Sequence, residues 1–538
     1  MHYCLQIPEL VLEVVDKLAP PPSERLYHPQ KFSRELGALA AMARSCHAFY
    51  EPCMDALWKV QNSLAGVVRC LPPSTPANST GHVRVHKRRN YACLTRSLIV
   101  GYKKAAMARF YANASRIAYL RLPHFLWHSE YAPLLTHHIS LIKSHTVRWR
   151  DLFPKLQVLA IATICGDGAD FIWDTLFGPR IRGLVLLSGL DIKSMDTVLS
   201  YASQRCSNLR SLESYLWSSS FNDSLSGLTR LESFTYSRSG RLHENTVACL
   251  AQLPQLRTVN ILAPHIDSCI SSEERHGNQF ESLEHLTISE IQDSDLQSMA
   301  VSSLLGQLMP GRLLHLYLHF DVDGRDVSTF NRIFGVIGEN LRSLRTLSLL
   351  GWGPEVSDQQ HEAQEFSIDP LLRLQNLQKL SIRLVGMAAC FTDEAIPRYG
   401  AAWPHLTELV FFQTPYYRMQ AGGLTLGALA LFARHFPRLS RLALELDATR
   451  APPPPRGPVP ACPHYIALDL SRSLIGEGCG AVAAHIAAIY PKCSMRGVLA
   501  PMRFRKTTLR DDEVRRWQGV AERVEMFAKM GAEAAAWE

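Results

Sequence analysis

No stretch of this 538-residue sequence is apolar for the ~20 positions a bilayer-spanning helix needs, so no membrane passage is expected. The N-terminus has no basic segment leading into an apolar one, and no secretory signal is expected. The 13 cysteines are odd in number and scattered, with no C-x-x-C pair. That favours free thiols in a reducing compartment, cytoplasmic or nuclear. A net charge of +8 is small for this length and demands neither a nucleic-acid nor a membrane partner.

Catalytic signatures are missing too. There is no P-loop, no H-E-x-x-H and no G-x-S-x-G. GEGCGA (476–481) matches the dinucleotide fingerprint formally, but SRSLI separates it from the strand-like IALDLS, and 494–506 supplies no acidic residue. It reads as a glycine turn entering a helix. His137, His138 and His145 lack a cysteine pair or acidic group that would complete a metal site. The expectation is a protein that is not an enzyme, with no catalytic residue, cofactor or metal.

What is present starts with LQIPELVLEVVDKLAP (5–20) and, after a polar insert, LGALAAMARSCHAFYEPCMDALWK (36–59). Pro8 suits a first helical position, where its missing N–H would have had no partner. Leu10, Val11, Val14 and Leu18 recur at helical spacing, as do Leu36, Leu39, Met42, Ala43, Cys46 and Phe49, and Leu57-Trp58 closes the segment. A unit this small buries little surface by itself, so its excess apolar face is a candidate docking surface.

This segment resembles the F-box, the motif that docks adaptor proteins on the Skp-type linker of cullin–RING ubiquitin ligases. Ile7-Pro8-Glu9-Leu10 stands at the Leu-Pro-x-Glu-Leu opening, Val14-Val15 with Leu18 at the helix end, and Leu36 and Leu39 at the leucine pair. Ser45-Cys46-His47-Ala48-Phe49 stands at the Val-Cys-Arg element and Leu57-Trp58 at the close; Ile7, Ser45 and the long insert at 20–35 depart from the pattern. The resemblance implies a linker-binding surface of Ile7, Pro8, Leu10, Val11, Val14, Leu39, Cys46, Phe49, Leu57 and Trp58. The implied partners are the linker, through it a cullin, and an unidentified protein substrate.

Residues 61–92 read as a connector, with LPPSTPANSTG (71–81) irregular and HVRVHKRRN (82–90) a solvated basic face. From residue 93 a frame Leu-x-x-Leu-x-Leu recurs. It begins at Ile117 and Leu156, then at Leu209, Leu231, Leu256, Leu283, Leu313, Leu344, Leu377, Leu406 and Leu439, and more weakly at Ile181 and Tyr465. Intervals of about 22 to 33 residues after Leu156 are those of longer leucine-rich repeats. In Leu-x-Leu both leucines point to one side of a strand, and only stacked neighbours can bury that side. Between the frames, segments such as FNRIFGVIGENL and LGALALFARHF carry apolar residues at helical spacing. Most copies lack the Asn of the short extracellular repeats. They resemble the helix-rich leucine-rich repeats behind fungal F-boxes.

The expected fold is α/β: a small helical F-box (1–60), a connector (61–92) and a leucine-rich-repeat solenoid (93–506) with strands on the concave side and helices on the convex side. A Pro-rich insertion (447–463) interrupts it, and a capping helix (507–538) with Val514, Trp517, Val520, Val524 and Phe527 on its apolar stripe closes it. Early outward positions are small or mixed: Val158, Ala160, Ser233, Thr235, Thr258 and Asn260. Later ones are larger and more ionic: His285, His315, Tyr317, His319, Lys379, Arg383, Glu408, Phe412, Arg441 and Glu445. Aromatic and Arg side chains often dominate binding energy, so the later positions form the candidate substrate platform.

Overall fold

The computed structural model describes residues 7–63, 65–68, 70, 104–122, 152–162, 176–216, 221–237, 241–242, 244–262, 265–266, 280–292, 301–306, 308, 311–321, 327–352, 365–384, 388–389, 391–412, 423–450, 462, 464–495 and 511–537. The histidines at 137, 138 and 145, the basic run 82–90, Thr508 and most of the Pro-rich insertion lie outside the described residues. The chain forms two compact units, Met1–Arg238 and Ser239–Glu538.

The first unit opens with helices α1 (Pro8–Leu18), α2 (Pro22–Tyr27), α3 (Ser33–Ser45) and α4 (His47–Lys59), with a 3-10 turn, Pro29–Phe32, between α2 and α3. Pro8 occupies the first turn of α1, and Cys46, extended at φ −153° and ψ 140°, breaks α3 from α4. Val15, Leu39, Ala43 and Cys53 form the centre of this bundle. α4 runs directly into β1 (Val60–Gln61), the edge of a parallel sheet. The sheet continues through β2 (Tyr119–Leu122), β3 (Val158–Ile161), β4 (Gly183–Leu186), β5 (Ser211–Ser214) and β6 (Ser233–Tyr236), each paired with the next in sequence. The boundary expected after residue 60 therefore falls inside the first strand, because α4 hands its backbone straight to the ladder.

The second unit repeats the plan with β7 (Thr258–Leu262), β8 (His285–Gln292), β9 (His315–Asp321), β10 (Thr346–Trp352), β11 (Lys379–Leu384), β12 (Glu408–Phe412), β13 (Arg441–Leu444), β14 (Ile466–Asp469) and β15 (Cys493–Ser494). All pair in parallel and in sequence order. The frame leucines are the core: Leu283, Leu286, Leu313, Leu316, Leu344, Leu347, Leu377, Leu380, Leu406, Leu409, Leu439 and Leu442 are all buried. The return segments lie on that side, with Phe330 of the helix Val327–Asn340 against Phe320 at 4.9 Å and Phe391, just before the helix Ile396–Ala402, stacked on Phe411 at 4.7 Å. Packing between repeats is close enough to require glycine. A Cβ on Gly338 would lie 2.0 Å from the Pro370 carbonyl oxygen. This is a leucine-rich-repeat solenoid by its leucines and its continuous parallel strands.

Part of what the missing Asn ladder would do falls to another position. At four frames the residue just before the first apolar residue donates to a carbonyl one repeat earlier: Arg180 to Pro154 O (3.1 Å), Asn208 to Pro179 O (2.8 Å), Ser282 to Pro254 O (2.7 Å) and Asn376 to Arg342 O (3.2 Å); at others the same position reaches a different partner, Ser343 to Leu313 O and Arg230 to the Asn208 side chain. In these four the acceptor sits two residues before its own frame, so the bond keeps its register although the repeat length varies. It satisfies carbonyls that the turn leaves outside the strand ladder.

At the C-terminal end the frame at Tyr465 departs from expectation. Its ring is 60% exposed, and Ile466 is buried beside Leu468 and Leu470. The start of the Pro-rich insertion, Asp447–Ala448, is a short strand paired with Leu474–Ile475. Within GEGCGA, Gly476 lets the chain pass Thr449 O, which a Cβ there would approach to 2.9 Å, and the following helix is Cys479–Ile489. Helix Asp511–Trp537 buries Trp517, Val520 and Val524 against this end, with Trp517 Nε1 donating to Ser473 O at 2.8 Å.

Candidate functional site

Two surfaces were expected to bind partners. On the N-terminal bundle, Ile7, Leu10 and Val14 are 44%, 41% and 45% exposed and share one stripe of α1. Leu12 and Tyr50, not anticipated, are exposed as well. Pro8 is exposed, and Phe49, Leu57 and Trp58 are half-buried, with Phe49 and Leu57 packed on the bundle core. Val11 and Leu39 are buried, and neither is presented to a partner. Cys46 lies at the break between α3 and α4, half-buried; the cysteine in the core is Cys53, whose thiol burial pushes upward in pKa. Helical periodicity placed Cys46 on the apolar face because it ran α3 through this break.

The insert at 20–35 is no loop. α2 lies on the side of the first sheet away from its frame leucines, where Leu26 packs with Val60, Ala160, Ala162, Val185 and Leu187, and Tyr27 packs beside it. The Tyr27 hydroxyl donates to Glu213 Oε2 at 2.5 Å, and Arg121 donates to Leu26 O at 3.1 Å. Burial, and then Glu213, push the Tyr27 pKa up. Arg25 is buried and donates to Ala56 O (2.8 Å) and Leu57 O (2.5 Å), the last-turn carbonyls of α4. Burial lowers its pKa to about 10. Arg116 joins α4 to the sheet through Glu51 and through Asp55 at 2.8 Å. The small outward residues of β3 and β4 are small because a helix covers them. The pair Leu26-Tyr27 in a polar insert was the available signal.

On the second unit the outward side chains fall into rows fixed by register. The first row is Thr258, His285, His315, Thr346, Lys379, Glu408, Arg441. The second is Asn260, Thr287, Tyr317, Ser348, Ser381, Val410, Ala443, Asp469. The third is His319, Leu350, Arg383, Phe412. His285 and His315 stack with centroids 4.3 Å apart, and His315 Nδ1 lies 3.0 Å from Thr346 Oγ1. Burial lowers the His315 pKa, helped by His285, Arg345 and Lys379 against Glu284. Lys379 pairs with Glu408 at 2.6 Å. Tyr317 is 40% exposed between Thr287 and Ser348.

Phe412 was expected to face a substrate but is buried, in an apolar patch with Val410 and Ala443. The Arg383 and Arg472 guanidiniums lie over its ring at 5.8 and 4.9 Å. Arg472 comes from the turn after β14, and no strand position announced it. Burial lowers the Arg383 pKa; Arg441 and Arg472 add to that, and Asp469 opposes it. His319 and Glu445 are half-buried, and Lys379 and Arg441 are exposed.

No family model matches the chain, and no curated protein matches it. Among solved structures it is similar to the Toll–Spatzle complex of Drosophila, with 12% identity, TM-score 0.33, and 72% of this chain against 54% of that one covered. It is also similar to the APL1 leucine-rich repeat domain (11% identity, 72% and 74% covered, TM-score 0.26). A third is the leucine-rich repeat-containing protein LegL7 of Legionella pneumophila (12%, 58% and 78%, TM-score 0.25). The chain spans 54% of the length of the Toll-complex chain it matches. The leucine-rich-repeat fold is shown by the parallel strands and the buried frame leucines themselves.

Proposed function

We propose that this chain is a substrate adaptor of a cullin–RING ubiquitin ligase. The N-terminal bundle docks on a Skp-type linker, and the outward face of β8–β13 holds a target protein. The observation that carries this is the exposed stripe Ile7, Leu10 and Val14 on a bundle whose core is already filled by Val15, Leu39, Ala43 and Cys53. Apolar side chains left over once a core is complete are the kind of surface a partner covers. The adaptor breaks no bond itself; it raises the effective concentration of its target beside the ligase. Such an adaptor works in the cytoplasm or nucleus. Among the described residues no helix is long and apolar enough to cross a membrane.

A second reading is an interaction scaffold without a ligase role, in which the bundle is a cap. The fastening of α2 to the first sheet through Leu26, Tyr27 and Arg121 favours it. Co-purification with a recombinant Skp-type linker separates the two. The adaptor captures the linker, and Leu10→Asp with Val14→Asp abolishes capture while leaving the melting curve unchanged, since both positions are exposed. Absence of capture by the unmodified chain leaves the scaffold reading.

A further inference from the structure

The strands of the second unit begin along a rim whose geometry repeats from frame to frame. The two residues after the first leucine of a frame donate both N–H groups to one carbonyl of the preceding repeat. Arg345 and Thr346 donate to Leu314 O (2.8 and 3.0 Å), Gln378 and Lys379 to Arg345 O (2.8 and 2.9 Å), and Ser440 and Arg441 to Thr407 O (2.8 and 3.1 Å). The turn before the frame is held as well, with Ser343 Oγ donating to Leu313 O at 2.9 Å and Asn376 Nδ2 to Arg342 O at 3.2 Å. The frame leucines are turned into the core, so the residues that flank them line the rim at matched positions.

This rim is cationic. Arg312, Arg342, Arg345, Arg438 and Arg441 are all exposed, and among the described residues none of them forms an ion pair. Arg438 donates to His405 Nδ1 at 3.0 Å, which brings no negative charge. Of the acids among the described rim residues, Glu284 lies 3.7 Å from Arg257 and Glu408 lies 2.6 Å from Lys379, which leaves Glu281. The arginines fall into two groups. Arg312, Arg342 and Arg345 flank the frames of β9 and β10, and Arg438 and Arg441 flank that of β13. Guanidinium forks match carboxylates and phosphates alike. Single-stranded nucleic acid also calls for aromatic platforms between the cations, and 311–315, 342–346, 375–379, 404–408 and 437–441 hold no Phe, Tyr or Trp. The chemistry therefore favours carboxylates on a polypeptide.

We propose that the strand-start rim of the second unit binds an acidic polypeptide segment lying across the strands. One group of its carboxylates meets Arg312, Arg342 and Arg345, and a second group meets Arg438 and Arg441. β10 and β13 are separated by β11 and β12, so the two groups lie ~14 Å apart, which an extended chain covers in about four residues. The inference rests on reading the outward face of β8–β13 as the partner surface, and it adds that the partner is acidic along this rim.

Fluorescence anisotropy on the full-length chain tests it. The probe is a labelled peptide with two Asp-Glu pairs separated by about four uncharged residues. Its Asn-Gln counterpart and a single-stranded oligothymidine of equal charge are the comparisons. The acidic peptide binds, more weakly as salt rises, and the amide peptide does not. Arg342→Gln with Arg345→Gln lowers its affinity about fivefold, as does Arg438→Gln with Arg441→Gln, the worth of a pair of exposed ion contacts in each case. Lys17→Gln with Arg44→Gln, at exposed positions of the N-terminal bundle, removes as much charge and leaves the affinity unchanged. No binding, equal binding of the amide peptide, or an equal loss in the bundle variant overturns the proposal. Tighter binding of the oligothymidine, lost in the rim variants, also overturns it and gives the rim to nucleic acid. Linker capture on the same preparation keeps the readings apart. Capture without peptide binding removes this site and leaves the adaptor; peptide binding without capture removes the ligase role and leaves the rim.

Discussion

The outward strand faces of the two units solve the same geometric problem differently. In the first unit Val158, Ala160 and Val185 are small or apolar, and α2 lies on them through Leu26 and Tyr27. In the second, the corresponding rows carry His285, His315, Tyr317, Lys379 and Arg441, which are exposed or half-buried. A parallel sheet with helices on one side leaves its other side to be filled by the chain's own residues or by something else. The first face is spent on stability. Among the described residues no helix lies on the second, and its rows are polar and ionic instead.

The contrast breaks most directly at Leu26. Leu26→Ala removes the side chain wedged against Val60, Ala160 and Val185, and a cost of about 3 kcal/mol is expected for such a truncation. Urea unfolding followed by hydrogen exchange should show the loss at β2–β4, with β9–β12 unmoved. In the second unit the sensitive place is the helix side. Gly338→Ala drives a methyl into the Pro370 carbonyl and should cost about 2 kcal/mol by overpacking. Exchange then quickens at Val327–Asn340 and not in α1–α4.

Smaller effects sharpen the picture. Tyr27→Phe leaves Glu213 without its donor and should cost about 1.5 kcal/mol, read as a shift in the urea midpoint. Histidine links the second face to pH. Burial lowers the folded His315 pKa, so the unfolded chain binds more protons as pH falls through the ordinary histidine range, and stability falls with it. The melting temperature should drop between about pH 7.5 and about pH 5.5, and His315→Gln should flatten part of that slope. Smallest is Tyr317→Ala, expected within about 0.5 kcal/mol of the parent, since its ring supports no core. A large loss there would mean that the second face is structural after all.

Much of the architecture was legible because it is set locally. Leu-x-Leu puts two leucines on one side of any strand, so the buried positions from Leu120 to Leu444 could be read off the sequence. Leu10 and Val14 could be assigned to α1 by the same logic of period. The errors arose where neighbours distant in sequence decide. Val11 and Leu39 are buried although they share their helices with exposed residues, and the packing of α1, α3 and α4 around Val15 and Leu39 selects which go inside. Phe412 was an outward residue by alternation, yet Arg383 from β11 and Arg472 from the turn after β14 cover it.

By itself, then, the sequence determined the repeat, the inward leucines, the terminal helix with Trp517 and Val520, and the polar character of the later outward positions. Each depends on a residue's own side chain and its nearest neighbours along the chain. Tertiary structure alone decided that the insert between α1 and α3 covers the first sheet, that Arg25 closes the last turn of α4, and that Arg383 from β11 and Arg472 from the turn after β14 converge on the Phe412 ring. Those contacts join segments whose separation in sequence carries no periodic signal. They form because stacked strands only ~4.8 Å apart bring residues from successive repeats within reach of a common neighbour.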